Sequence, residues 1–199
     1  MKAEELSKVF IGCIEDYHIM DDVNQSLVNP FDVRDFNQLI YNKCWIDTVQ
    51  WHYEDLIRDP NINPEDGMSL KKLIDLSNQK RTDIVEKIDD HFLEMFHGAV
   101  LDPDATINTE SPAWVIDRLS ILALKLFHME EQVNRSDAEE QLIQKSKIRF
   151  TVLQEQQVDL QRSFDQLMDD YRSGRKAMKV YRQMKLYNDP ATNPVFYNK

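Results

Sequence analysis

The chain is poor in residues that interrupt helices or build a disulfide framework. Its 199 residues include four Gly and seven Pro, and no segment alternates polar and apolar residues over a useful length. The sequence therefore predicts no β-strand. The two cysteines, Cys13 and Cys44, have no metal-ligand spacing, and one disulfide is a poor framework for a chain of this size. We expect both thiols to be reduced.

Long hydrophobic runs and catalytic signatures are also missing. Acidic residues precede any apolar run at the N-terminus, so no secretory signal is predicted. Lys125 interrupts the longest apolar stretch, which excludes the ~20 apolar residues that a membrane span requires. A phosphate-binding Gly-rich loop, a nucleophile elbow and a catalytic Cys/His pair are absent. These absences predict a cytoplasmic protein that has no membrane partner.

Charge is distributed unevenly along the chain. The net charge is -11, but residues 172–199 carry seven Lys or Arg and one Asp, which leaves −17 for residues 1–171. We predict an acidic helical domain over 1–174 and a basic tail over 175–199 packed on that domain. An acidic surface repels nucleic acid, so no nucleic-acid partner is expected. Within the tail, residues 175–187 are predicted to form a short amphipathic helix followed by an extended strap; the alternative is a frayed terminus.

Proline and glycine positions divide the chain into helices. Asn29-Pro30, Asn63-Pro64 and Ser111-Pro112 each place a capping residue before proline, which is typical of a helix start. Gly98 and Gly174 are expected just after helix ends, and Ser136 with Glu139 forms a capping box. The predicted fold is all-α: an up-and-down bundle of four long helices plus a shorter N-terminal helix. The predicted helices cover about 3–18, 31–58, 64–97, 112–134 and 137–173. The predicted inward residues are Phe36, Leu39, Ile40, Ile46, Val49, Tyr53 and Leu56 on the second helix, and Leu70, Leu73, Ile74, Ile84, Ile88, Phe92 and Met95 on the third.

The fourth predicted helix indicates a polar cluster inside the bundle. From Val115 to Met129 it is apolar nearly all the way round, which is typical of a buried helix. A buried charge must be paired, hydrated or used for function. The polar residues within this run are Asp117, Arg118, Ser120, Lys125 and His128.

The second and third helices supply polar residues that can join this cluster. Trp51, Glu54 and Arg58 share one stripe of the second helix, as expected for an indole beside paired charges in a pocket. On the third helix, Asn78 and Arg81 interrupt the apolar face. Arg81 then needs a carboxylate, which Glu54 or Asp117 can supply.

Two metal templates fit the sequence poorly. Glu15-x-x-His18 and Glu94-x-x-His97 have the spacing of di-iron ligands, but both lie at helix ends. Glu86-x-x-Asp89 is similar to half of the magnesium motif of helical nucleotide pyrophosphatases. The other half is missing, because Trp51 stands where the partner of Glu54 is required. The sequence assigns no metal and no cofactor.

Four blocks of sequence resemble a bacterial family of all-helical proteins of about this length whose function is unassigned, a domain of unknown function. The resemblance extends over nearly the whole chain from about residue 36, and it implies an all-α fold and a cytoplasmic bacterial protein. It supplies no catalytic residues. The blocks are WHYEDLIR (51–58), NQKRTDIVEKID (78–89), NTESPAWVIDRLSILALKLFHM (108–129) and MKVYRQMKLYNDP (178–190).

Two functional hypotheses follow from these patterns. The first is a site between the second, third and fourth helices that binds or processes a phosphorylated or otherwise anionic small molecule. Its candidate residues are Trp51, Glu54, Arg58, Asn78, Arg81, Asp117, Arg118, Lys125 and His128. The alternative is a non-enzymatic interaction or scaffold protein whose polar core is structural. The first hypothesis predicts that these side chains surround an open pocket. The second predicts that their charges and hydrogen bonds are satisfied completely by one another. The sequence is compatible with a homo-oligomer under either hypothesis.

Overall fold

Helices account for almost all of the regular structure. The structure is a computed structural model that describes residues 1–184 and 189–197; it is 66% helical and has no strand among these residues. The predicted all-α fold and helical bundle are confirmed. The helices are α1 (Ala3–His18), α2 (Phe36–Leu56), α3 (Pro64–Met95), α4 (Pro112–Val133), α5 (Glu140–Arg172) and α6 (Pro194–Tyr197). None of these described helices is both long and apolar enough to cross a membrane.

Three of the five long helices run in the same direction. Tyr17 packs against Trp45 and His18 against His52, so α1 and α2 advance together. Along α2 and α4, Asp47 meets Ser120 and Trp51 meets His128, which makes this pair parallel as well. Helices α3 and α5 are antiparallel to these three helices. The connector from residue 19 to residue 35 is long because it must return the chain to the start of a parallel helix.

Helix α1 is part of the core and does not merely cap the bundle. It packs against α2, α4 and α5, whereas α2 and α5 make no contact with each other among the described residues. Its apolar stripe is almost fully excluded from water, which anchors α1 between the other helices. The buried residues of this stripe are Leu6, Val9, Phe10, Cys13, Ile14 and Tyr17.

Two helices begin later than the capping patterns predicted. Helix α2 starts at Phe36 with Asp35 as its N-cap, because the side chain of Asn29 instead donates to Gln38 O and Asn42 Oδ1. Helix α5 starts at Glu140, and the predicted capping box at Ser136 is not formed. There Arg135 holds Asp137 in a forked ion pair that keeps the preceding turn outside the helix.

The predicted inward face of α3 is largely confirmed, since Ile74, Ile84, Ile88 and Phe92 are buried, whereas that of α2 is largely wrong. Leu56, Leu73 and Met95 are exposed. The buried face of α2 instead includes Lys43 and Asp47. A pattern built from apolar residues alone places this face wrongly, because charged residues occupy part of the interior.

The basic tail contacts the body as an extended chain. Thr106 exchanges backbone hydrogen bonds with Arg175 and Ala177, and Arg182 pairs with Glu86 and Asp90. The predicted helix over 175–187 is wrong for 175–184, and its last residues lie outside the described part of the chain. The final turn, Pro194–Tyr197, is helical where an extended strap was predicted. Gly98 and Gly174 do adopt left-handed φ angles after α3 and α5.

Candidate functional site

A charge network lies at the middle of α2, α3 and α4. We define it as Lys43, Asp47, Arg81 and Asp117. The side chain of Lys43 is fully buried, pairs with Asp47 and lies 3.0 Å from Asp117 Oδ1. Arg81 donates from Nε to Asp117 Oδ1 at 2.8 Å and from Nη2 to Oδ2 at 2.5 Å. The expectation that Arg81 and Asp117 are inward and charge-paired is confirmed.

The electrostatics of the charge network are balanced. Two cations face two carboxylates, and Ser120 Oγ adds a hydrogen bond to Asp47 Oδ2 at 2.6 Å. Burial raises the pKa of Asp47 above its ordinary value despite the attraction of Lys43. Burial acts in the same direction on Asp117, but Lys43 and Arg81 outweigh it and hold the pKa of Asp117 below its ordinary value. Each charge therefore faces an opposite charge, as a structural ion-pair network requires. Asp47 Oδ1 has no hydrogen-bond partner among the described residues, but it lies 3.4 Å from Arg81 Nε.

Above the charge network, an inner cleft of about 490 Å³ opens beside Trp51. Its two guanidinium groups are already engaged, since Arg81 binds Asp117 and Arg58 pairs with Glu54 and Asp55. Carboxylates outnumber cations in its lining. The lining residues are Asp47, Gln50, Trp51, Glu54, Asp55, Arg58, Arg81 and Ile121.

On the other side of Trp51, an outer groove of about 670 Å³ runs between α2, α4 and α5. Lys125 and Arg149 line it, and neither forms an ion pair within the described part of the chain. Asp55, the single carboxylate of the lining, is paired with Arg58 at 3.5 Å. The remaining lining residues are Trp51, His128, Met129, Gln132, Ile148, Val152 and Leu153.

A histidine cluster adjoins the outer groove. We define it as His18, His52 and His128, one residue from each of the parallel helices α1, α2 and α4. One ring nitrogen of each lies within 4.8 Å of the others, and the Nε2 atoms of His18 and His52 are 3.3 Å apart. Asp21, whose φ is 51°, places Oδ1 3.6 Å from His52 Nε2. This is the group of side chains in the described structure that offers three metal-ligand atoms at close range.

Aromatic neighbours hold each imidazole of the cluster. Trp51 stacks on His128 at 4.9 Å with an interplanar angle of 11°, and Tyr17 stacks on His52 at 5.0 Å. Phe127 lies 4.3 Å from the ring of His18. Burial lowers the pKa of His52 below its ordinary value, although Asp21 opposes this shift. A lowered pKa keeps the imidazole neutral, which leaves a ring lone pair for a ligand.

The nine residues predicted from sequence are only partly brought together. Trp51, Lys125 and His128 line the outer groove, and Trp51, Glu54, Arg58 and Arg81 line the inner cleft. Asp117 lies beneath the cleft in the charge network. Asn78 accepts a hydrogen bond from Gln50 Nε2 and is not part of either lining. Arg118 is exposed and lies 3.7 Å from Glu110, away from both.

The nine predicted candidates do not include Lys43 and Asp47 of the charge network, Arg149 of the outer groove, or His18 and His52 of the histidine cluster. Lys43 carries a usable signal, because it precedes Asp47 by one helical turn on a face that also contains buried Ile40 and Cys44. Arg149 has none, since α5 is rich in polar residues. His18 and His52 become neighbours only through the parallel direction of α1 and α2, which a linear pattern does not reveal.

Comparison with known sequences identifies the family of the chain. Residues 37–180 match the family described as protein of unknown function (DUF4254), and the chain belongs to that family. No curated protein and no solved structure matches the chain at a significant level. The family match leaves function to be argued from the site itself.

Proposed function

We propose that this member of the DUF4254 family binds a small molecule with an anionic group and an apolar body in the outer groove. The observation that carries the proposal is the pair of unengaged cations, Lys125 and Arg149, beside the Trp51–His128 stack. In a chain of net charge -11, two unpaired cations in one groove create a local positive potential. Such a potential attracts and orients an anion.

The same reasoning disfavours the inner cleft as the place for the anion. Arg81 is already bound by Asp117 with two hydrogen bonds, and Arg58 contacts two carboxylates. An incoming phosphate would have to displace those carboxylates from their partners. The cations of the outer groove require no such exchange.

The walls of the outer groove support the apolar half of the proposal. Ile148 and Val152 on α5 are 69% and 58% exposed, and Met129 and Leu153 extend the same surface. Covering these side chains contributes about 25 cal/mol per Å² of apolar surface. A volume of about 670 Å³ falls within the range of small-molecule sites.

The first experiment uses phenyl phosphate as the probe, because it combines one aromatic ring with one phosphate. We expect saturable quenching of tryptophan fluorescence, and Trp51→Phe should remove the response because Trp51 is the reporter in the groove. Inorganic phosphate and phenol should each bind more weakly, since each satisfies only one half of the site.

Charge-removal variants test where the phosphate binds. Arg149→Gln and Lys125→Gln should each weaken phenyl phosphate binding by roughly tenfold, the loss expected for one charge-assisted hydrogen bond. Lys147→Gln, on the exposed surface of α5, is the matched control and should bind as the unmodified protein does. Equal affinity in all four proteins would refute the proposal.

A second candidate function, an interaction or scaffold protein, draws support from the charge network. Its four charges satisfy one another, and buried networks of this kind can serve packing and register alone. If phenyl phosphate does not bind and the Arg149→Gln protein is unchanged in every assay, this second candidate becomes the better account of the fold.

A further inference from the structure

We infer that the histidine cluster is a mononuclear site for a divalent transition metal of the Zn²⁺ type. The inference goes beyond the proposed function, because it concerns the three imidazoles and would stand if the groove bound no anion. His18, His52 and His128 are the proposed ligands.

The spacing of the ring nitrogens fits a single ion. Two nitrogens bound to one tetrahedral Zn²⁺ at about 2.0–2.1 Å lie roughly 3.3–3.4 Å apart. The Nε2 atoms of His18 and His52 are already 3.3 Å apart. The nitrogen of His128 lies within 4.8 Å of both, so a side-chain adjustment on the order of 1 Å completes three of four tetrahedral positions.

In His18 and His128, the hydrogen bond of Nδ1 orients the ring so that Nε2 faces the centre of the histidine cluster. His18 Nδ1 lies 2.6 Å from Ile14 O, and a carbonyl can only accept, so this nitrogen carries the proton. His128 Nδ1 donates in the same way to Glu131 Oε2 at 2.9 Å. Both Nε2 atoms are then lone-pair donors. Imidazoles held by an oxygen acceptor at the far nitrogen are the usual ligands of metal sites.

His128 Nε2 supplies an independent observation. The atom is buried and has no hydrogen-bond partner among the described residues. A buried polar atom without a partner costs free energy that a packing role does not recover. Coordination to a metal ion gives this lone pair a partner.

The surroundings favour a cation. His18 ends α1, His52 lies in the last turns of α2 and His128 in the last turns of α4. His18 lies in the last turn of α1, so the negative end of that helix dipole faces the cluster. Asp21 adds a carboxylate 3.6 Å from His52 Nε2. Trp51, Tyr17 and Phe127 pack against the faces of the rings and leave the in-plane lone pairs free to coordinate.

Three protein ligands define the type of site. Structural zinc sites are closed by four protein ligands, whereas catalytic sites use three and keep one position for water or substrate. The histidine cluster has three, and His128 and Trp51 also line the outer groove. A metal held here would therefore have an open position next to the groove.

The test is titration of the purified full-length protein, stripped with EDTA, with Co²⁺ followed by visible absorption and with Zn²⁺ followed by calorimetry. We expect one equivalent of metal and the intense absorption of low-coordinate Co²⁺. His18→Ala and His128→Ala should each weaken binding by about 100-fold or more, because each removes one of three ligands. His97→Ala removes an exposed histidine and should bind as the unmodified protein does.

A variant of Glu131, which accepts the hydrogen bond from His128 Nδ1, keeps the test informative if a ligand variant folds poorly. Glu131 is about half exposed, so Glu131→Gln should leave the fold intact while weakening Zn²⁺ binding by about tenfold. Circular dichroism establishes the folded state of each protein. The inference is overturned if the unmodified protein binds no Co²⁺ or Zn²⁺, or if His97→Ala weakens binding as much as His18→Ala and His128→Ala.

Discussion

Helices α2 and α4 carry two polar clusters that differ in how their charges are balanced. In the charge network, Lys43 lies between Asp47 and Asp117, and Arg81 closes the group from α3. Further along the same helices, by about one turn on α2 and about three turns on α4, the histidine cluster brings three imidazoles together and leaves His128 Nε2 without a hydrogen-bond partner among the described residues. The charges of the network balance one another, although Asp47 Oδ1 has no hydrogen bond and lies 3.4 Å from Arg81 Nε. The histidine cluster has no such internal charge pairing.

We infer from this difference that the charge network stabilises the fold and that the histidine cluster binds a ligand. Burying two carboxylates and two cations is tolerated only when each charge has its partner. A single polar atom costs less to bury without a partner than a charge does, so the fold tolerates the unpartnered His128 Nε2. Substituting one member of each cluster tests this difference.

The largest expected effect is that of Lys43→Met. It would leave Asp47 fully buried beside Asp117 without the cation between them, so the free energy of unfolding should fall by about 3–5 kcal/mol. Urea denaturation provides the measurement. Lys125→Met, on the exposed side of α4, is the matched control and should change stability by less than about 0.5 kcal/mol. A similar small change for Lys43→Met would remove the distinction between the two clusters.

Zinc should have the next largest effect, and it should act through the histidine cluster alone. At a free Zn²⁺ concentration of 100 times the dissociation constant, the stability of the EDTA-stripped protein should rise by about 2.7 kcal/mol. His128→Gln should abolish this gain while changing metal-free stability by less than about 1 kcal/mol. Thermal unfolding with and without Zn²⁺ measures both. An equal gain in His128→Gln would show that the metal binds elsewhere.

Removing Arg81 should cost less than removing Lys43. Arg81→Met takes two hydrogen bonds from Asp117, but Lys43 stays 3.0 Å from that carboxylate, and Arg81 is itself 29% exposed. We expect a loss of about 1–3 kcal/mol and unchanged phenyl phosphate binding, since the anion is assigned to the outer groove. A loss of phenyl phosphate binding with stability retained would move the anion to the inner cleft.

The folded pKa of Asp117 gives this part of the network a pH dependence of known sign. Because its pKa is depressed in the folded state, the stability it contributes is present above its ordinary unfolded pKa. That contribution is lost as pH falls through the folded value. Asp47 has a raised pKa and opposes this trend. Asp117→Asn should therefore flatten the acid limb of a stability curve, and an unchanged limb would contradict the assignment.

The starts of α3 and α4 and the buried helix could be predicted from the sequence because they depend on local chemistry, whereas α2 and α5 begin later than predicted. Pro64 and Pro112 open α3 and α4 as predicted, and Arg81 meets Asp117 because a charge on a buried face must find a partner. The inward face of α2 could not be predicted from apolar residues, since Lys43 and Asp47 occupy it. Buried charges look like surface residues in a sequence.

The histidine cluster could not be predicted because it depends on topology. An up-and-down bundle with short loops would make α1 and α2 antiparallel and separate His18 from His52. The connector over 19–35 makes them parallel, and nothing local in the sequence fixes that direction. Spacing searches such as Glu-x-x-His examine one helix at a time, so they miss ligands that come singly from three helices.

The smallest expected effect concerns His91, a lone histidine of α3 that lies beside the first residue of α2, at the end away from the histidine cluster. His91 stacks on Phe36 at 4.0 Å, and burial lowers its pKa below the ordinary value. As pH falls through that ordinary value, the unfolded chain takes up a proton that the folded protein resists, so stability declines. In EDTA, His91→Gln should reduce the loss of stability between about pH 7.5 and 5.5, values that bracket the ordinary pKa of His. His97→Gln, which alters an exposed ring, should not reduce this loss of stability.

Neither variant should affect Zn²⁺ binding, because a single imidazole is a weak site. If His91→Gln abolishes Zn²⁺ binding while His128→Gln retains it, the histidine cluster loses its distinction from an ordinary buried histidine.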